Sequence, residues 1–90
     1  MLELIWSESE TGEPQAVQAY TPGYELTVMP GPSGGAWFWR VDLTAEISEW
    51  PEVLACDFTE TLDEAKAAAT AAVSRSLARR ETRRILKENA

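Results

Sequence analysis

The chain contains no histidine and a single cysteine, Cys56. Without histidine it lacks the commonest general base near neutral pH and the commonest neutral metal ligand. One thiol allows no internal disulfide and excludes zinc sites of the Cys/His type. Cys56 lies in an apolar run, which predicts a small core residue rather than a reactive thiol. Glycine is sparse, and Gly31, Gly34 and Gly35 fall between candidate strands rather than ahead of a helix, so no phosphate-binding loop is spelled out. No apolar run approaches the length needed to cross a bilayer. The first residues carry no basic segment followed by an apolar one, so no leader is read there and a cytoplasmic protein is expected. No cofactor, metal or catalytic set is expected, since carboxylates alone do not specify a reaction.

Basic residues are scarce in the first two thirds. Arg40 is the only one before residue 65, where thirteen of the fifteen carboxylates lie, giving −12; residues 65–90 carry +5, and the whole chain −7. An acidic body favours basic partners and repels nucleic acid. The basic end could do the reverse, or could answer an acidic patch of its own kind.

The last third reads as one helix over residues 62–88. Thr61 and Glu64 have capping-box spacing, in which the threonine hydroxyl takes the Glu64 amide and the glutamate reaches back to the Thr61 amide. Asp63 and Glu64 place negative charge at the positive helix end. Six alanines between residues 65 and 72 are strong helix formers. Leu62, Ala65, Ala69, Ala72, Val73 and Leu77 share one face at the helical period, a flat apolar stripe suited to lie on a sheet. Such a helix is about 40 Å long, whereas a typical strand is about 20 Å. It should therefore overrun its sheet, and the overrun, residues 78–90, is basic: Arg79, Arg80, Arg83, Arg84 and Lys87, with Leu77, Ile85 and Leu86 left without obvious cover.

The remainder reads as strands. Residues 2–6 alternate, with Leu2, Leu4 and Trp6 opposite Glu3 and Ile5; residues 7–14 form an acidic turn region, and residues 15–20 a second strand. Thr21-Pro22-Gly23 is a tight turn. Residues 24–29 alternate again, with Tyr24, Leu26 and Val28 on one face. After the loop at residues 30–35, residues 36–43 form the clearest strand, with Trp37, Trp39, Val41 and Leu43 facing together and Phe38, Arg40 and Asp42 on the reverse. An acidic connection, residues 44–52, precedes a last strand at 53–58, with Leu54, Cys56 and Phe58 predicted on one face. Short turns between successive strands imply an antiparallel meander. The expected fold is one α+β domain over residues 1–90: a four- to five-stranded antiparallel sheet with one long C-terminal helix on one face. The other face should meet solvent or a partner.

The Leu4-Ile5-Trp6 start, the Gly23-Tyr24-Glu25-Leu26 strand, the Trp37-Phe38-Trp39 strand and the entry Thr61-Leu62-Asp63-Glu64-Ala65-Lys66-Ala67 together resemble the small ββββα proteins common in phages and prophages. The resemblance covers residues 4–73; the arginine-rich extension lies outside it. By size and charge, rather than by a matching motif, the chain is also similar to anti-CRISPR proteins and other inhibitors of host defence, some of which mimic DNA.

Three uses of the surface follow from the residues. In the first, Glu8, Glu10, Glu13, Glu46, Glu49, Glu52, Asp57 and Glu60 form an acidic partner-binding surface; if their loops converge, the carboxylates approach the phosphate spacing of a duplex strand, roughly 3.4 Å per residue. Resemblance makes the partner a host protein or ribonucleoprotein complex with a basic surface, and places the protein in the host cytoplasm. Solubility is the plainer role for the same charges. In the second, Arg79, Arg80, Arg83, Arg84 and Ile85 dock on a second copy. In the third, that helix end binds nucleic acid, with Trp37 and Trp39 as stacking platforms; the acidic body and the core-like companions Val41 and Leu43 disfavour direct nucleic-acid binding.

Overall fold

The computed structural model describes residues 4–8, 16–32, 34–50 and 52–88, with side chains as far as Thr82 in the helix. Five strands follow in order: β1 (Ser7–Glu8), β2 (Val17–Thr21), β3 (Tyr24–Pro30), β4 (Trp37–Leu43) and β5 (Glu52–Thr59), then the helix α1 (Leu62–Glu88). The sheet order β1-β2-β3-β4-β5 is a meander, and every neighbouring pair is antiparallel. The α+β reading and the one-sided helix therefore hold, with five strands.

Alternation selects the covered face. Tyr24, Leu26 and Val28 on β3 and Trp39 and Val41 on β4 are buried, and α1 meets them with Ala65, Ala69, Ala72 and Val73. Alanine allows this approach, because a stripe without long side chains brings the helix axis close to the strands. The largest side chains shielded completely are Tyr24, Leu26, Val28, Val41 and Val73. Each such aliphatic burial contributes about 1.5–3 kcal/mol. Leu62 to Ser76 spans about 22 Å of helix, matching a seven-residue strand of about 23 Å. Burial follows that match: Ser76 is buried, and every described side chain from Leu77 to Thr82 is exposed.

The helix entry departs in detail from the expected capping box. The Glu64 amide donates to Thr61 Oγ1 at 3.1 Å, while the Thr61 hydroxyl donates to Glu64 Oε1 at 3.0 Å. The glutamate thus holds the capping side chain rather than the Thr61 amide. At the other end of the covered stretch, Tyr24 OH and Ser76 Oγ share a buried hydrogen bond of 2.8 Å, which ties the start of β3 to the helix where cover ends.

Gly23 fixes the turn into β3. Its φ is +91°, a conformation few other residues accept, and a Cβ there would lie 2.4 Å from Ile47 Cδ1. Ile47 is seated by one helical turn in the β4–β5 connection, where the Ile47 and Ser48 amides both donate to Thr44 O. The Thr44 amide in turn donates to Gly23 O at 3.0 Å, so both connections at this end of the sheet are joined.

Three sequence expectations are corrected. Residues 4–6 are not a strand: pairing begins only at Ser7 and Glu8, opposite Gln18 and Val17, within the segment expected as a turn. Their alternation nonetheless holds, since Leu4 and Trp6 pack on the core while Ile5 is 89% exposed. The Lys66 ammonium sits 5.8 Å from the Trp6 ring centroid, so contact with the helix replaces sheet pairing for this segment. In β5, Leu54 does not share a face with Cys56 and Phe58. Val41 pairs with Ala55 but Asp42 with Val53, so Leu54 is the extra residue of a β-bulge. Leu54 and Ala55 both pack on the core, and alternation then turns Cys56 and Phe58 outward. Cys56 is consequently exposed, not a core residue.

Two measurements check this packing. Ala69→Leu should destabilise the fold by about 1–3 kcal/mol in urea unfolding, because no space exists between helix and sheet for the added carbons; an unchanged midpoint would mean a loosely seated helix. Native Cys56 should react with a thiol reagent within a few-fold of the rate in denaturant, whereas protection by orders of magnitude would return it to the core.

Candidate functional site

α1 covers one face of the sheet only; on the reverse face Gln18 and Thr27 at the centre are buried among their neighbours, and exposure is confined to the surrounding positions. In register across β2–β5 the residues of this face are Gln18 and Tyr20, then Glu25, Thr27 and Met29, then Phe38, Arg40 and Asp42, then Val53, Cys56 and Phe58. They segregate along the strands. Near the β3–β4 loop, the Phe38 and Phe58 rings lie 5.1 Å apart at 54°, an edge-tilted pair on a partly apolar surface. Toward the opposite end the face becomes polar: Gln18 Nε2 donates to Glu25 Oε1 at 3.1 Å, and Arg40 Nε pairs with Asp42 Oδ2 at 2.9 Å.

At that polar end the β4–β5 connection folds over the face and closes a shallow cavity of about 430 Å³. Glu25, Asp42, Glu49 and Glu52 line it, with Arg40 the one base and Trp50 at its rim. Trp50 is 77% exposed. Ser48 shapes the rim, because its hydroxyl lies 2.8 Å from Trp50 O and 3.3 Å from Glu52 Oε2. Four carboxylates against one guanidinium, itself bound to one of the four, leave the cavity strongly negative. An exposed indole beside such a cluster suits a cation, and a planar guanidinium best, since it can stack on the ring and bond carboxylates in pairs. Among the described residues, no three Cys, Asp or Glu are placed to hold a metal ion.

The candidate acidic residues do not converge. The β4–β5 connection lies at the end of the sheet where β5 begins, whereas Glu8 on β1 stands opposite Val17, toward the other end. Glu49 and Glu52 line the cavity; Glu46 borders a second hollow beside the Pro22-Gly23 turn. Asp57 and Glu60 belong to the far end, with Asp57 opposite Trp39 and its Oδ1 accepting from the Phe58 amide. Seven residue steps along β5 separate Glu52 from Thr59, about 23 Å. Glu8 stands in the same cross-strand row as Asp57 but on β1, four strands and roughly 19 Å away. Glu10 and Glu13 lie outside the described residues, as do the side chains of Arg83, Arg84 and Ile85. Glu25 and Asp42 were missed as site residues because they sit singly in strands; only their register, with Glu25 directly opposite Asp42, unites them with the loop glutamates.

The helix end emerges at the cavity's end of the sheet but on the other face. Arg79 and Arg80 are exposed, and Arg80 Nη1 lies 3.5 Å from Tyr24 OH. Leu77 is 37% exposed, just past the last buried turn. Trp37 and Trp39 stand on the helix-covered face and pack on the core, Trp39 buried and Trp37 partly so, which speaks against both as stacking platforms. The Trp39 indole nitrogen has no hydrogen-bond partner among the described residues. No helix among the described residues is long and apolar enough to cross a membrane. Compared with protein-family models, with curated proteins and with solved structures, the chain matches none.

Proposed function

We propose that this protein acts by binding, not by catalysis, and that its acidic outer-face cavity takes arginine-bearing segments of a basic protein partner. The observation that carries the reading is the meeting of Glu25, Asp42, Glu49 and Glu52 with the exposed indole of Trp50 on a face left open by the helix. Such a surface gives orientation and fast encounter with a basic partner, and its effect weakens with salt. The partner class favoured by the chain's size and acidity is a nucleic-acid-binding host defence complex. Occupation of that complex's arginine- and lysine-lined channel by carboxylates would exclude the nucleic acid, which is inhibition of the anti-CRISPR type.

An oligo-arginine peptide is the direct probe. Titrated into the protein, it should change Trp50 fluorescence and bind more tightly than an oligo-lysine peptide of equal length. Charge reversal at Glu49→Arg and Glu52→Arg should weaken binding tenfold or more, on the order expected when two close charge pairs become repulsive. Equal affinity in the reversed protein would remove the cavity from the mechanism. Added to RNA-guided nucleases of candidate hosts, the wild-type protein should block target binding; peptide binding without any such block would sink the inhibitor assignment alone.

A further inference from the structure

Beyond a foreign partner, the geometry points to a second copy of this chain as an occupant of the same cavity: we infer a two-fold dimer in which each helix end lies on the other copy's outer face. The inference rests on the preference of the cavity for guanidinium groups argued above, and adds the identity of one group that fills it.

Three features lead there. The helix outruns its sheet by twelve residues, from Leu77 to Glu88, about 18 Å. That is roughly three quarters of the length of a strand of the outer face, about 23 Å. The overrun leaves from the end of the sheet that holds the cavity, as the Tyr24–Ser76 hydrogen bond and the Arg80–Tyr24 approach show. And the two surfaces are opposite in sign: the chain is −12 up to residue 64 and +5 beyond it.

The helix lies over one face and the cavity opens on the other, so one copy cannot join them. A two-fold axis at this end, in the plane of the sheet and across the strands, does. It sets two sheets end to end with their faces exchanged. The overrun of each then continues over the outer face of its partner, at the height it already holds over its own sheet. Both contacts are formed at once, as an isologous interface requires. The order of residues also agrees. Moving out along the overrun, Arg79 comes first and meets the cavity at the sheet's end, while Arg80 reaches back to Tyr24 of its own copy. Arg83 follows one turn farther along the same side of the helix. Leu77, exposed in the single copy, falls at the junction.

A charge-swap experiment tests this. Wild-type protein at about 0.1 mM should sediment as two chains in low salt and shift toward one chain in about 0.5 M salt, where surface charges are screened. Arg79→Glu with Arg83→Glu should give a single chain, because glutamates then face the cavity. Glu49→Arg with Glu52→Arg should do the same. An equal mixture of these two variants should recover the two-chain species, since each helix now faces a cavity of opposite charge at both contacts. Far-ultraviolet circular dichroism of each variant, matching the wild type, shows that the fold survives the changes. A wild type that stays single at low salt overturns the dimer, as does a dimer that both variants retain, or a mixture that fails to pair. If the wild type is single yet still binds oligo-arginine through Glu49 and Glu52, only the second copy is rejected and the cavity keeps its role. If oligo-arginine does not bind and the charge swap fails, both are rejected.

Discussion

The close seating of an alanine stripe on two strands governs this structure. Ala65, Ala69 and Ala72 let α1 approach Leu26, Val28, Trp39 and Val41 without intervening side chains, and Val73 fills the remaining depth. A helix seated this way buries one narrow face, so it covers only the middle strands and β5 on one side of the sheet. Two consequences follow from geometry alone. The reverse face has no cover from α1, and a helix of 27 residues must leave a sheet of seven-residue strands behind. Both proposed binding surfaces are products of that single packing choice.

The end of the sheet where the helix departs is also the most heavily tied. Gly23 accepts the Thr44 amide, Ile47 presses on Gly23, and Tyr24 reaches Ser76. These contacts fix the β4–β5 connection relative to β3, and with it the positions of Glu49, Trp50 and Glu52 over Glu25 and Asp42. A binding site placed on a connection gains precision when that connection is anchored to the sheet. Here the anchor is a glycine in a conformation that few other residues adopt, with an isoleucine occupying the space a side chain would need.

Much of this was legible in the residues. Alternation in 24–29 and 36–43 gave the two central strands and their inward faces, and the Thr61–Glu64 spacing gave the helix start to the residue. The helix overrun followed from length alone. What could not be read was register. The bulge at Leu54 has no marker: a run of Val53, Leu54, Ala55 and Cys56 is apolar on every phase, and only the pairing with β4 decides that Ala55 faces Val41 and Cys56 faces Arg40. Turning one residue there moves Cys56 and Phe58 from core to surface. The site suffered the same limit. Glutamates clustered in sequence looked like one acidic surface, but a meander sends alternate connections to opposite ends. Glu49 and Glu52 are therefore separated from Asp57 and Glu60, and joined instead by Glu25 and Asp42, isolated strand residues that sequence proximity could not associate, while Glu46 turns to a separate hollow.

The cavity's own electrostatics argue for an external cation. Among the described residues Arg40 is the only base on its walls, and its pairing with Asp42 is an exposed contact of the sort worth a few tenths of a kcal/mol up to about 1. Glu25 accepts a hydrogen bond from Gln18 and Glu52 one from Ser48, which hold them in place without neutralising them. Gathering like charges around a hollow costs stability that spreading them over the surface would avoid. Solubility would be served equally well by dispersed glutamates, so it does not explain their assembly beside an exposed indole. A guanidinium entering from outside would relieve that repulsion, and the chain carries its own supply of guanidinium groups on a helix directed past the same end of the sheet, toward a surface it cannot reach within one copy.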